Sequence, residues 1–415
     1  MAVADVSDWI DEFGRPGMVW YAKRLSANDT LATHAHQAGP YFSREFLFRI
    51  FPALNRPEAE NPDVRFDLCI DSHADRRTIR AVWYNNRRRG GTRNEARLTG
   101  FGGARSALLD EASTGALAIF VFILDGKGAA TECHVWVCDN RFQEDLFEER
   151  LGPVEPKAFV IWTPGTIPAA ELSAHEPGAP AECRIPAGQI PPAWIERFPS
   201  GEEIIARTMQ LRPPVGMNAD ARLLRRRLCE YEMFLSIEEA AYLPRIQAGF
   251  TSIDGFIGLA QTVLQSRKSR SGNSLELHAR EIMKEEGLQP DADFTHRPVV
   301  EGGKRPDFLF PSRAAYDDLQ FPADRLRMLA AKTTCKDRWR QVALEADRIP
   351  LKHLLTLQEG VSEAQFREMR EAGVQLVVPT GLQSSYPNSV RPHLINFERF
   401  ICAVRLLNPL PQREG

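Results

Sequence analysis

Residues 164–199 carry so many Pro, Gly and Ala residues (PGTIPAAELSAHEPGAPAECRIPAGQIPP) that the stretch reads as a linker, and a domain boundary is expected within it. A chain of 415 residues already exceeds a comfortable single core, so two domains are the prior. The hydrophobic pattern changes across the linker. Before it come short runs rich in β-branched and aromatic residues: MVWYAKRL, VRFDLCI, TIRAVWYN, ALAIFVFIL and CHVWVC, spaced like strands of a barrel or sandwich. Trp9, Ile10 and Phe13, then Phe42–Phe51, look like short helices plugging it. After residue 200, apolar residues recur at helical spacing in Ala219–Tyr242, Ile253–Gln265 and Leu275–Glu286. Strand-like runs at 307–310, 327–331, 353–357 and 374–378 then alternate with expected helices at 337–348 and 362–371. Such alternation implies an α/β core. The expected organisation is an all-β domain over 1–165, a linker over 166–199 and an α/β domain over 200–415.

Composition excludes little: 43% hydrophobic and 26% charged is ordinary for a soluble globular protein. The longest apolar run, Gly115–Leu124, is too short to span a bilayer, and no membrane is expected. The start MAVADVSDWIDEF lacks a basic region and a long apolar run, so no signal peptide is expected. Seven cysteines form no CxxC pair, which argues for reduced thiols in a cytoplasm and against a zinc site or a disulfide framework. A net charge of −3 says nothing for nucleic acid, but its distribution does. Between Arg76 and Arg105 there are nine arginines and one acid, Glu95. Arginine suits bidentate contacts to phosphate and guanine, whereas an ordinary solvated face mixes both signs.

The strongest chemical signal lies in the C-terminal half. Asp307, within KRPDFLF, and Lys332, at the end of RMLAAK, would sit at the ends of neighbouring strands. A carboxylate and an ammonium so placed can hold Mg2+ and offset charge on an attacked phosphate. The position two residues before the lysine is Ala330, so a second carboxylate must come from elsewhere. Glu345, on the expected following helix, is the natural candidate, sharing a face with Gln341 and Arg338. Lys336, Asp337 and Arg338 would open that helix. There an Arg could address guanine and an Asp could accept from cytosine N4. Arg227 and Tyr231, four apart on an expected helix, share a face and could stack on extruded bases. RKSR at 267–270 reads as a phosphate-contacting or exposed loop, and His34 and His36 lack a third metal ligand nearby.

The block KTTCKDRWRQ, with PDFLFPS before it and HLLTLQEGVSEAQFREMREAGVQLVVP after it, strongly resembles the EcoRII-type (type IIE) restriction endonucleases. KRLSANDT near the N-terminus and TRNEARLT at 92–99 extend the resemblance over nearly the whole chain. It implies an N-terminal β-pseudobarrel of the B3-like DNA-binding kind and a C-terminal restriction-endonuclease-like core of the PD-(D/E)XK class. The active-site set it implies is Asp307, Lys332, Glu345 and, from a helix, Glu276, with Mg2+ on Asp307 and Glu345. Lys336, Asp337 and Arg338 match positions reading C·G pairs, and Arg227 and Tyr231 match the pair that stacks on flipped bases. In the N-terminal half, His36, Tyr41, Arg87, Arg93, Asn94, Glu95 and Arg97 match DNA-contacting positions. The pattern is broken at Gly91 and Ala96, where lysines are expected, and at Phe101, where tryptophan is.

The implied function is Mg2+-dependent double-strand cleavage at a short CC/GG-containing site, CCWGG-like. A homodimer would bind double-stranded DNA at two copies of the site, the second one on the N-terminal domain, which would inhibit cleavage until that effector copy is bound. A bacterial cytoplasm and a paired cytosine methyltransferase protecting host DNA complete the picture. A DNA-binding regulator with an inactive nuclease-like half, or a repair nuclease, are the alternatives. The Asp307, Lys332 and Glu345 set disfavours the regulator.

Overall fold

The computed structural model describes residues 5–34, 39–164 and 183–407, so His36 and residues 166–182 of the expected linker lie outside it. The chain divides into two compact units. One comprises Met1–Ala179 with Gln358–Gln365 and Ser385–Val390; the other comprises Pro180–Leu357, Phe366–Ser384 and Arg391–Gly415.

The first unit is built on a seven-stranded sheet. Its strands are β1 (Met18–Arg24), β2 (Asp63–Ile70), β3 (Asp75–Tyr84), β4 (Glu95–Thr99), β5 (Leu117–Leu124), β6 (Ala130–Val137) and β7 (Phe159–Trp162). The order is β4-β3-β2-β6-β5-β1-β7, with β2 and β6 parallel and the other pairs antiparallel. The continuous apolar run of β5 has a simple cause. Ala118, Phe120 and Phe122 enter one core, and Leu117, Ile119 and Val121 enter another on the opposite face. Phe42, Phe46, Leu47 and Phe51 fill the first core, as expected of a plugged barrel. The helix Val6–Phe13 is too short to persist alone and is held by burying Trp9, Ile10 and Phe13 in the second.

The second unit carries a mixed five-stranded sheet: β8 (Thr295–His296), β9 (Phe308–Phe310), β10 (Arg327–Ala331), β11 (Lys352–Leu355) and β12 (Val374–Val377), in the order β12-β11-β10-β9-β8. The β8–β9 and β9–β10 pairs are antiparallel, while β10–β11 and β11–β12 are parallel. Parallel neighbours need crossover connections, and the helices Trp339–Ala343 and Glu363–Glu371 lie in those two. Two long helices, Ala219–Gln247 and Ile253–Glu285, belong to the same unit.

Three expectations are corrected. The helix expected over 337–348 shrinks to Trp339–Ala343. Leu344 N bonds Gln341 O in a tightened last turn, and Ala346 takes a left-handed φ of 48° that ends the helical path. The segments Ile253–Gln265 and Leu275–Glu286 are one helix, and RKSR lies inside it. Arg267 of that motif pairs with Glu238 (2.6 Å), and Arg270 with buried Glu230 (3.1 Å). The third correction concerns the thiols. Cys183 and Cys229 form a disulfide, with Cα atoms 5.1 Å apart. The pairing is invisible to spacing because 46 residues separate the two. Cys183 N donates to Glu232 (2.7 Å) and Ile185 N to Ser236 (3.1 Å), laying this strand of chain along the helix that bears Cys229.

Candidate active site and DNA-contact surfaces

Antiparallel register places Phe308 opposite Leu329, so Asp307, just before β9, lies beside the end of β10. Its Oδ2 accepts from Ala331 N (2.7 Å) and from Lys332 Nζ (2.8 Å), and its carbonyl accepts from Arg297 N (2.8 Å). Asp307 is buried and cannot swing away. Strand pairing thus brings together two side chains that the sequence separates by the whole β9–β10 connection.

Glu345 completes the cluster from the turn after the Trp339–Ala343 helix, rather than from the helix itself. Its Oε2 is buried, and among the described residues no donor reaches it. Burial pushes its carboxyl up to about 7; nearby Asp307 adds to this, while Lys332 and Lys304 oppose it. A buried carboxylate oxygen without a proton donor, coupled to a second carboxylate, is the donor set that a hard divalent cation fits.

A pH-dependent prediction follows from Glu345. A carboxyl with a raised folded-state pKa favours folding fully below its unfolded value, 4.5, and loses that contribution as pH rises through about 7. Above that, the folded protein must hold a buried anion. Glu345→Gln should therefore raise the melting temperature of the metal-free protein distinctly more at pH 8 than at pH 5. Thermal unfolding followed by circular dichroism checks this, and an equal shift at both pH values would refute it.

Glu276, on the helix Ile253–Glu285, is buried with both oxygens engaged. Oε1 accepts from His296 Nε2 (2.5 Å) and Arg297 Nε (2.6 Å), and Oε2 from Arg297 Nη2 (2.7 Å). Burial pushes its carboxyl up, but these donors outweigh it and keep the group ionised. Glu276 is thus linked to Asp307 through Arg297, whose backbone N bonds the Asp307 carbonyl. Sequence reasoning missed His296 and Arg297. Their only signal was a charged pair ahead of a proline, and it becomes informative only once β8 is seen to pair with β9. Lys304, which pairs with Asp347 (2.7 Å), was missed too.

Lys336, Asp337 and Arg338 form a turn leading into the Trp339–Ala343 helix, all three half-buried. Asp337 lies 4.0 Å from Arg340, which also pairs with Glu368 (3.0 Å). Arg227 and Tyr231 do share one helix face. Arg227 is only 4% exposed, and Tyr231 carries Arg270 over its ring at 4.3 Å. Fully buried His278 lies among Arg227, Arg226 and Arg270; burial first, then these three charges, hold its pKa well below the usual imidazole value. Tyr316, for which sequence suggested no role, donates to Glu301 (2.8 Å) and braces the 346–348 turn by accepting from Arg348 N (3.3 Å).

The arginine-rich segment of the first unit divides in two, which corrects its reading as a single basic surface. The missing acids come from the neighbouring strand β2: Asp63 pairs with Arg80 (2.8 Å) and Asp67 with Arg76 (3.0 Å). Arg77 pairs with Asp75. A linear count of charge could not see partners across a sheet. Arg87 is exposed in the turn Asn86–Arg89, Arg93 lies 5.2 Å over the Tyr84 ring, and Asn94 accepts from Trp83 Nε1 (3.0 Å). Glu95 and Arg97 on β4 lie 3.8 Å apart. Exposed Tyr41, Tyr84 and Arg97 line a cavity of about 380 Å³ together with Thr99 and Phe101. Gly91, where lysine is expected, leaves room for the Asn86 side chain, since a Cβ there would come within 2.6 Å of it. Ala96 and Phe101 are core residues.

Two family descriptions match the chain: "Restriction endonuclease EcoRII, N-terminal" over residues 14–166 and "EcoRII C terminal" over 234–401. The type II restriction enzyme EcoRII of Escherichia coli is 43% identical over 403 residues, covering 97% of each chain. Among solved structures, metal-depleted Ecl18kI in complex with uncleaved, modified DNA is 18% identical, covers 56% of this chain and 89% of its own, and gives a TM-score of 0.43. The UbaLAI restriction endonuclease B3 domain with cognate DNA is 21% identical, covers 38% and 97%, and gives 0.25. These two likenesses are too loose to add to the sequence matches. With both halves matched in order and nearly full-length identity to a relative, the chain belongs to the EcoRII family of type II restriction enzymes, which are site-specific deoxyribonucleases.

Proposed function

We propose that this chain is a type IIE enzyme that hydrolyses both DNA strands at a short CC/GG-containing, CCWGG-like site with Mg2+. The observation that carries the catalytic assignment is Asp307 Oδ2 shared by Ala331 N and Lys332 Nζ, electrostatically coupled to half-buried Glu345, whose buried Oε2 has no donor among the described residues. In this reading Asp307 and Glu345 would hold the ion, Glu345 as its ionised carboxylate, and the bound ion would supply charge neutralisation at the phosphate and a lowered pKa for an attacking water. Lys332, already fixed on Asp307, offsets the charge that builds on the phosphate oxygens as the bond to the 3′ oxygen breaks. The leaving oxygen takes a proton from water. Glu276 acts by anchoring Arg297 against the Asp307 backbone.

Lys336, Asp337 and Arg338 read C·G pairs from their turn, with guanidinium to guanine and carboxylate to cytosine N4. Arg227 and Tyr231 stack on an extruded pair; Arg227 is buried and Tyr231 half-buried, so the helix face must be uncovered first. In the N-terminal unit, Tyr41, Arg87, Arg93, Asn94, Glu95, Arg97 and His36 bind a second copy of the site. Arg87 is exposed and Arg93 and Arg97 are half-buried, which leaves all three open to a ligand and supports that placement. The division of labour follows the division of the chain, 1–165 for the effector site and 200–415 for cutting. The active species is a homodimer in a bacterial cytoplasm, with a cytosine methyltransferase protecting host DNA.

Digestion of a plasmid of known sequence in Mg2+ tests this. The expected result is discrete fragments whose ends all fall at one short CC/GG-containing sequence. Ends that share no sequence, or stable binding without cutting, would overturn the proposal.

A further inference from the structure

Outside the nuclease centre, β2 and β6 of the first unit pair in parallel. Their register sets Cys69 directly beside His134 and Asp67 beside Glu132. Glu132 and His134 are two apart on one strand, so both project to the same face as Cys69. Nothing in the linear sequence announces this, because Cys69 lies 63 residues before Glu132 and no CxxC or HxxxH spacing occurs. The thiol, carboxylate and imidazole atoms all lie within 4.8 Å of one another.

We propose that Cys69, Glu132 and His134 form a zinc site that ties β2 to β6. A tetrahedral zinc with bonds of about 2.0 Å to N and O and about 2.3 Å to S sets its ligand atoms roughly 3.3–3.5 Å apart along the N···O and S···O edges. Glu132 Oε1 lies 3.5 Å from His134 Nε2 and 3.6 Å from Cys69 Sγ. The remaining edge, between sulfur and imidazole, is no longer than 4.8 Å. A second observation comes from the other side of the ring. His134 Nδ1 is 2.8 Å from Asp71 Oδ2, which also accepts from Trp9 Nε1 at 2.7 Å. A carboxylate behind a histidine fixes the tautomer that turns Nε2 toward a metal, the second shell that zinc histidines use. The ring also packs on Phe13, with centroids 4.3 Å apart and planes tilted by 32°.

The mixed S, N and O donor set selects a borderline-soft ion such as zinc over Mg2+. Three protein ligands leave one position for water. Arg76 Nη2 lies 3.4 Å from Glu132. Its side chain is 66% exposed and also pairs with Asp67 at 3.0 Å, so it can release Glu132 and keep that partner. The thiol proton leaves to solvent on binding. The site serves stability rather than cutting, since all three ligands belong to the sheet of the N-terminal unit.

Co2+ is the probe, because a thiolate–cobalt bond gives a charge-transfer absorption that carboxylate sites lack. The metal-stripped full chain should develop this band with one Co2+ per chain, and Zn2+ should bleach it. Asp307→Ala should leave it unchanged, Cys69→Ser should abolish it, and Asp71→Asn should weaken Co2+ binding about 10–100-fold. Absence of the band in the folded wild type, or its survival in Cys69→Ser, would overturn the proposal. If Cys69→Ser does not fold, Glu132→Gln at the partly exposed carboxylate decides: unchanged Co2+ affinity there would equally overturn it.

Discussion

Asp307→Ala and Lys332→Ala should each lower DNA cleavage by about 10²–10³-fold or more, the scale seen when one preorganised electrostatic group is removed from a transition state. Specific DNA binding should survive both. The expectation rests on what these two side chains touch. Lys332 donates to Asp307 at 2.8 Å, and Asp307 is further fixed by Ala331 N at 2.7 Å, so the pair is a rigid unit at the strand ends. Removing Asp307 also leaves Lys332 without its carboxylate and Glu345 without its coupled partner, so the loss there should be the larger. A gel shift in Ca2+ beside a cleavage assay in Mg2+ separates the two effects. Wild-type cutting by either variant would remove these residues from the catalytic centre.

A fragment beginning at Pro180 should cut single-site DNA about tenfold or more faster than the full chain, and an uncleavable duplex carrying the site should stimulate only the full chain. The compact unit founded on Met1–Ala179 also takes in Gln358–Gln365 and Ser385–Val390, so deletion frees two segments of the cutting half. If the competent state is the minor one, populated at roughly 0.1–10%, its release accounts for a gain of that order. Effector DNA can achieve the same only by binding the open state more tightly. Starting at Pro180 preserves the Cys183–Cys229 bond. Equal single-site rates for fragment and full chain, with no stimulation of either, would show that the N-terminal unit does not restrain cutting.

How much of this was legible in the sequence depended on whether the information was local. The buried strand β5 announced itself as an apolar run because both of its faces are covered. The pairing of Asp307 with Lys332 was legible because Asp307 opens one apolar strand and Lys332 closes the next, and in an antiparallel pair those two ends meet. Glu345 was found by position, yet its helix was overestimated: propensity continues past Ala343, while the left-handed Ala346 and the braced Arg348 end it. Partners across strands were not legible at all. Arg76 and Arg80 looked unneutralised until β2 supplied Asp67 and Asp63, and Cys183 found Cys229 only because the chain runs back along a helix. Glu276 shows the same limit: its helical position was predictable, its engagement by His296 and Arg297 was not.

Anomalous scattering from Mn2+ in crystals of the full chain with uncleaved site DNA locates the ion itself. One peak is expected between the carboxylates of Asp307 and Glu345, with Lys332 against the scissile phosphate. A peak seated instead on Glu276, or on neither Asp307 nor Glu345, would contradict the catalytic assignment.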